Sequence, residues 1–155
     1  MEVRTILWPT DLSKNSIKAA KQVSMLAEKF QAKVILLYVG VDLMSMFPAY
    51  GNYPSEDQLK HFQNWELKEA KKHLESVCEA ELKACPNIDV HLVQGDPATE
   101  ILKTINEARV DLVVLTTHGR GHDDLDQKGA EFGSVVKKVM ANSSVPVHLV
   151  NPYKT

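Results

Sequence analysis

The residues best suited to chemistry cluster between Thr116 and Ser134. Thr116-Thr117-His118-Gly119-Arg120-Gly121 ends an apolar run, and Gly133-Ser134 follows after a polar interval. Glycines allow a ligand close to the backbone because they carry no Cβ. His118 and Arg120 add hydrogen-bonding or cationic side chains. Gly133-Ser134 opens a helix-like segment, whose first N–H groups form a natural anion site. Donors, close approach and positive potential are what a phosphate needs. Asp11, in Pro9-Thr10-Asp11, brings the complementary chemistry, a carboxylate able to accept from a ribose or a base amino group. A plain structural reading stands beside this one: glycines are common between a strand and a helix, and Ser134 can simply cap. Neither G-x-x-x-x-G-K-[ST] nor a G-x-G-x-x-G after the first strand occurs.

Other chemistries find less support. His118 and His122 are four apart, with Asp123, Asp124 and Asp126 close by. A helix would point both rings one way, but the glycines oppose a helix there. Asp124-x-Asp126-x-Lys128-Gly129 starts like a calcium loop, then fails at Lys128 and at Val135, where an acid is needed. The segment reads as a solvated acidic loop, and no metal is assigned. Ser134 has no evident base, while His61, His73 and His91 are scattered. Cys78 and Cys85 lack the cationic setting of a nucleophile. No catalytic residue is assigned and no enzyme is expected, slow hydrolysis of a bound phosphate compound being the one reaction left open. The interval from Gly40 to Asp57 carries Met44, Met46, Phe47, Tyr50 and Tyr53, either a lid or core cover, or an adaptable face for a partner. Trp8 and Trp65 read as packing residues. Lys60, Lys68, Lys71 and Lys72 read as a solvated helix face paired with Glu66, Glu69 and Glu75.

The elements that must position these groups alternate. VRTILW (3–8) is a strand that stops at Pro9, which cannot donate to a ladder. Residues after Ser13 form one helix to Phe30, with Ile17, Ala20, Val23, Ala27 and Phe30 inward and Ser13 or Asp11 as cap. KVILLYV (33–39) is a strand buried on both faces. A long helix over 58–84 turns Leu59, Phe62, Leu67, Ala70, Leu74, Val77 and Leu82 to the core and ends before Pro86-Asn87. IDVHLVQ (88–94) is a strand. Gly95 turns the chain, Asp96 caps the next helix and Pro97 begins it. Strands over 110–117 and 145–151 flank a helix with Val135, Val136, Val139 and Met140 inward. This order implies an α/β fold: a parallel sheet doubly wound by helices on both faces, in one domain over 1–155. In such sheets ligands bind beyond the carboxyl ends of strands, where strand order reverses.

Composition agrees. A chain of 155 residues with 44% hydrophobic and 25% charged residues is an ordinary globular domain. Net charge of −2 argues against a nucleic-acid surface built on bulk charge. Two cysteines make neither a disulfide framework nor a zinc pattern and suit a reducing compartment. The start MEVRTILWPTDLSKNS has no signal-peptide pattern, and no apolar run approaches a membrane span. The expected location is cytoplasmic.

Four pieces, in order, resemble the universal stress protein family: ILWPTDLS, VILLYV, GDPATEIL and LVVLTTHGR…GSVVKKVMANSSVPVHLV. The resemblance covers nearly the whole chain. It implies a five-stranded parallel sheet in the order 3-2-1-4-5, with Pro9-Thr10-Asp11 and Thr116 to Gly119 meeting at the reversal. It also implies a homodimer through the last strand, VPVHLV; no membrane or nucleic-acid partner is expected from hydropathy and charge. Nucleotide-binding members carry G-x-x-G, nine residues, then G-[ST]. Here Thr116 replaces the first glycine, and thirteen residues rather than nine separate Gly119 from Gly133. By resemblance Asp11 meets adenine or ribose, with Pro9 and Thr10 beside it, and the Val39 backbone meets adenine. Thr116 and Gly119 lie at ribose and phosphate, where the residue chemistry adds His118 and Arg120, and Gly133, Ser134 and Val135 wrap the phosphates. The implied function is a stress-response protein that binds an adenine nucleotide, ATP first and with Mg²⁺ if the acidic residues take part, as a sensor or regulator. The alternative is a dimeric interaction protein whose altered loop no longer holds nucleotide.

Overall fold

The structure, a computed structural model, describes residues 1–40, 42–43, 55–118 and 132–154. Strands β1 (Thr5–Thr10), β2 (Lys33–Gly40), β3 (Asn87–Gln94), β4 (Leu112–Thr116) and β5 (Val147–Val150) form one sheet. Its order is β3-β2-β1-β4-β5 and every neighbouring pair is parallel. The helices are α1 (Lys14–Ile17), α2 (Ala20–Phe30), α3 (Glu56–Glu81), α4 (Pro97–Glu107) and α5 (Ser134–Asn142).

Strand alternation sorts the core into two layers. Ile6, Trp8, Val34, Leu36 and Val114 face Ala20, Val23 and Ala27 of α2 and Ala70, Leu74 and Val77 of α3. Leu7, Ile35, Leu37, Val113 and Leu115 face Ala98, Ile101 and Ile105 of α4 and Val136 and Val139 of α5. The sheet is therefore wound on both faces, as the alternation of elements predicts. Each fully buried Leu, Ile or Val contributes roughly 1.5–3 kcal/mol, so the three central strands carry most of the stabilisation.

Local signals explain the helix starts. Ser55 and Gln58 close a reciprocal capping box on α3. Asp96 accepts from Thr99 N at 3.0 Å and opens α4. Gly95 sits at φ +145°, a conformation that side chains resist.

Several expectations need correction. The helix expected from Ser13 to Phe30 is two helices. Lys18 N and Ala19 N bond three residues back, to Asn15 O and Ser16 O, a tight 3₁₀-type turn of the kind that joins helices. Phe30 and Met140 face outward, each 43% exposed. Phe62 and Trp65, expected inside, are about half exposed and tilt against each other with ring centroids 5.8 Å apart. Gln63 takes the buried place beside them. Trp8 is fully buried, but among the described residues its Nε1 has no hydrogen-bond partner. On the charged face of α3, Lys60–Glu56 and Lys72–Glu69 pair at 3.3 Å. Glu66 instead accepts the Tyr38 hydroxyl at 2.7 Å.

Candidate functional site

Pro9 lies inside β1, not beyond it, and this shapes the site. In a parallel ladder, alternate residues serve opposite neighbours. Arg4 O accepts from Lys33 N on the β2 side, and Thr5 O accepts from Asp111 N on the β4 side. Odd-numbered residues of β1 thus face β4, so the missing N–H of Pro9 falls on that side. There the pairing ends at Leu7 with Val113, whereas pairing with β2 continues to Thr10. Proline is tolerated because the ladder has already parted. The parting opens a cleft at the reversal of strand order, where open α/β sheets bind ligands.

The cleft has a volume of about 300 Å³, at the lower end of small-molecule sites. Pro9, Thr10 and Asp11 form one wall, Leu115 and Thr116 another, and Leu37 and Val39 the floor. Gly133, Ser134, Val135 and Val136 close one end, and Pro97 and Ile101 of α4 close the far side. Eight of the eleven expected site residues therefore meet: Pro9, Thr10, Asp11, Val39, Thr116, Gly133, Ser134 and Val135. His118 is buried and does not line the cleft. Its Nδ1 lies 2.7 Å from Thr117 Oγ1, and its ring packs against Tyr153 and Phe132. Gly119 and Arg120 lie outside the described residues, as do His122, the acidic residues 123–131, and Met44, Met46, Phe47, Tyr50 and Tyr53.

The first wall is held by short-range bonds. Asp11 Oδ1 accepts from Ser13 N at 2.9 Å. Thr10 Oγ1 accepts from Leu12 N at 3.0 Å and from the Ser16 hydroxyl at 2.7 Å. Ser13 Oγ, 3.1 Å from Ser16 N, caps α1. These bonds bracket Leu12, whose φ of 63° costs a branched side chain roughly 1 kcal/mol. Such local strain is found where surrounding structure over-determines a functional wall.

The closed end is the start of α5. Gly133 N donates to Thr117 O at 3.0 Å, and Gly133 O accepts from Lys137 N at 3.1 Å. The glycine N–H is therefore spent within the protein. What remains for an anion is the Ser134 hydroxyl and the N–H groups of the first helical turn, which an α-helix leaves without intrahelical partners. Gly133 is the N-cap residue and makes no side-chain cap bond. Ser13, Ser55 and Asp96, by contrast, cap their helices with side-chain oxygens. The Asp96 carboxyl is held below its usual range, first by the Thr99 hydroxyl and then by the Thr99 N–H, with Lys138 of α5 adding a smaller attraction. Burial pushes both Cys78 and Cys85 thiols up, which opposes a nucleophilic role. Among the described residues no three His, Cys, Asp or Glu side chains converge on a possible metal.

Ser16, Leu37, Pro97, Ile101, Leu115 and Val136 were not singled out in the sequence as site residues. Leu37 could have been found from Val39, since i and i+2 share a strand face. Pro97 and Ile101 could not, because only the crossover from β3 places α4 beside α5.

A model of the universal stress protein family matches residues 2–151. Universal stress protein MJ0531 of Methanocaldococcus jannaschii is 32% identical, over 97% of this chain and 84% of its own. Universal stress protein UspA from Lactobacillus plantarum shares the fold with a TM-score of 0.79 at 22% identity, over 97% of this chain and 99% of its own. The universal stress protein from Archaeoglobus fulgidus, solved in complex with dAMP, does so with a TM-score of 0.63 at 16% identity, over 97% of this chain and all of its own. With a family match across almost every element that builds the cleft, the chain belongs to the universal stress protein family.

Proposed function

We propose that the cleft binds an adenine nucleotide, ATP foremost, and that the protein acts as a nucleotide-dependent sensor or regulator in a stress response. The observation that carries this reading is the combination at the parting of β1 and β4. An apolar floor and walls of Pro9, Leu37, Val39, Leu115 and Ile101 suit a flat base. Asp11 suits a ribose or an amino group. The start of α5, with no side-chain cap, offers donors and a positive dipole end to phosphate. A protein of the same family and fold was solved with dAMP, which supports the class of ligand. By resemblance Gly119 would add to the phosphate end; by its charge Arg120 would too, and Mg²⁺ would offset the carboxylates of the same loop. Backbone donors, hydroxyls and one carboxylate are groups that hold a nucleotide, so the reading is of a binder rather than an enzyme.

The same reading includes a homodimer through β5, an edge strand whose Val147, His148 and Leu149 are half-buried. The free thiols Cys78 and Cys85 fit a reducing, cytoplasmic setting. No helix among the described residues is long and apolar enough to cross a membrane. The test is acid extraction of the purified protein with chromatography of the released nucleotide, followed by melting with ATP and Mg²⁺. A released adenine nucleotide, or a raised Tm, is expected. An empty protein with no shift at millimolar ATP would sink this reading in favour of the dimeric interaction protein.

A further inference from the structure

Thr117 joins three parts of the fold. Its N–H donates to Val150 O at 2.9 Å, tying it to the end of β5, and its carbonyl accepts from Gly133 N at 3.0 Å. Its hydroxyl lies 2.7 Å from His118 Nδ1. Both residues are buried, at 5% and 4% exposure. The His118 ring in turn rests on Tyr153, with ring centroids 5.2 Å apart, and Asn15 Nδ2 of α1 donates to the Tyr153 hydroxyl at 3.4 Å. Nearby, Lys18 Nζ reaches Pro152 O at 3.2 Å. A chain of contacts thus runs from α1 through Tyr153 and His118 to Thr117, and from its carbonyl to the first residue of the α5 cap. His118 and Tyr153 do not line the cleft.

We infer that His118 and Tyr153 are positioning residues for the anion end of the cleft. They fix the Thr117 backbone, which fixes Gly133 and hence the direction of the free N–H groups of α5. Donors at a helix start favour an anion only when aimed at it, and side chains behind them set the aim. The inference rests on the proposed nucleotide site and gives His118 a role other than direct contact with phosphate. It also makes the segment after β5 part of the site's support.

The test pairs a nucleotide-free readout with a binding one. In the free protein, amide exchange of Gly133 is compared among wild type, His118→Ala, His118→Asn and Tyr153→Ala. Asn can return a polar atom toward the Thr117 hydroxyl. Tyr153 is 36% exposed, so its truncation leaves a folded chain even if His118→Ala does not fold. Expected are faster Gly133 exchange in both Ala variants and recovery in His118→Asn. ATP affinity should fall roughly two- to tenfold in the Ala variants, the size of one hydrogen bond, and recover with Asn. Unchanged Gly133 exchange in a folded Tyr153→Ala would overturn the inference, as would changed exchange with undiminished ATP affinity. Absence of ATP binding by wild type is a different failure: it removes the proposed function, while Gly133 exchange still decides whether the coupling exists.

Discussion

Replacing Gly133 by serine separates the stability of α5 from the ligand chemistry of its first turn. Gly133 has φ −59° and ψ 154°, backbone that any residue adopts. A Cβ built there would meet only Thr117 O, at 3.9 Å, an ordinary contact. Nothing described in the protein therefore requires glycine. Serine is a better N-cap than glycine by a few tenths of a kcal/mol, because its Oγ accepts from the N–H two or three residues on. Those acceptable partners, Val135 N and Val136 N, belong to the turn that would otherwise serve an anion. In the proposed site the cap and the phosphate would compete for the same donors. Losing one hydrogen bond to a charged group costs about 1.5–3 kcal/mol, or roughly 10- to 150-fold in Kd. Gly133→Ala controls for bulk alone: it supplies a Cβ without an acceptor and destabilises the helix by about 0.5–1 kcal/mol. Urea melts without ligand and calorimetric titration with ATP measure the two effects. The expected pattern is Gly133→Ser at least as stable as wild type and at least tenfold weaker in binding. A stable Gly133→Ser that binds ATP as wild type does would refute the assignment of the α5 start to phosphate. An unfolded Gly133→Ala would refute the claim that the site is sterically open.

Four further outcomes are expected. Asp11→Ala should remove most of the ATP-induced rise in Tm, at a ligand-free cost of up to about 1 kcal/mol from the lost Ser13 N–H bond; thermal shift with and without ATP reads both. Val147→Pro should weaken the proposed dimer at least tenfold in a concentration series by sedimentation. Pro146 O and Val150 O serve β4, so the N–H of Val147 faces the open edge, and a dimer that persists would place the interface elsewhere. Asp96→Ala should lower stability by about 1 kcal/mol at neutral pH. Because the folded carboxyl titrates below its unfolded value, its contribution is full above about pH 4. That contribution is lost as pH falls through the folded pKa, so the two proteins should converge in acid melts. Trp8→Phe should change stability by no more than about 1 kcal/mol, since it removes an unpartnered buried N–H as well as packing. Trp8→Ala should cost about 3–5 kcal/mol, and equal losses in chemical denaturation would contradict that account.

The alternation of elements was plain in the sequence because each strand buries both faces, leaving runs such as VILLYV, while each helix keeps a 3.6-residue period. Gly95-Asp96-Pro97 announced α4 because turn, cap and first-turn chemistry act within a few residues. The strand order came from family resemblance, since periodicity alone does not say which strands adjoin. Asp11, Thr116 and Gly133-Ser134 were likewise visible as strand-end and helix-start residues. Their meeting in one cleft came, like the strand order, only through the resemblance, because it depends on the crossover that carries the chain from β3 across to β4.

Where local pattern and tertiary packing disagreed, packing prevailed. Phe62 and Trp65 are apolar, yet the buried stripe of α3 runs through Leu59, Gln63, Ala70, Leu74 and Val77, and both aromatic residues fall off it. Pro9 reads as a strand end, because a residue without an N–H breaks a ladder. Only the structure shows that the missing donor faces the side where β1 and β4 have already separated. His118 read as a phosphate ligand from its place beside Gly119, and the fold turned it under Tyr153. Sequence alone determined the α/β class, the caps of α1 and α4 and the chemistry available at the strand ends, since those follow from residue type over short spans. Which of those groups share the cleft, and which stand behind it, was decided by strand order and by contacts between residues more than a hundred positions apart.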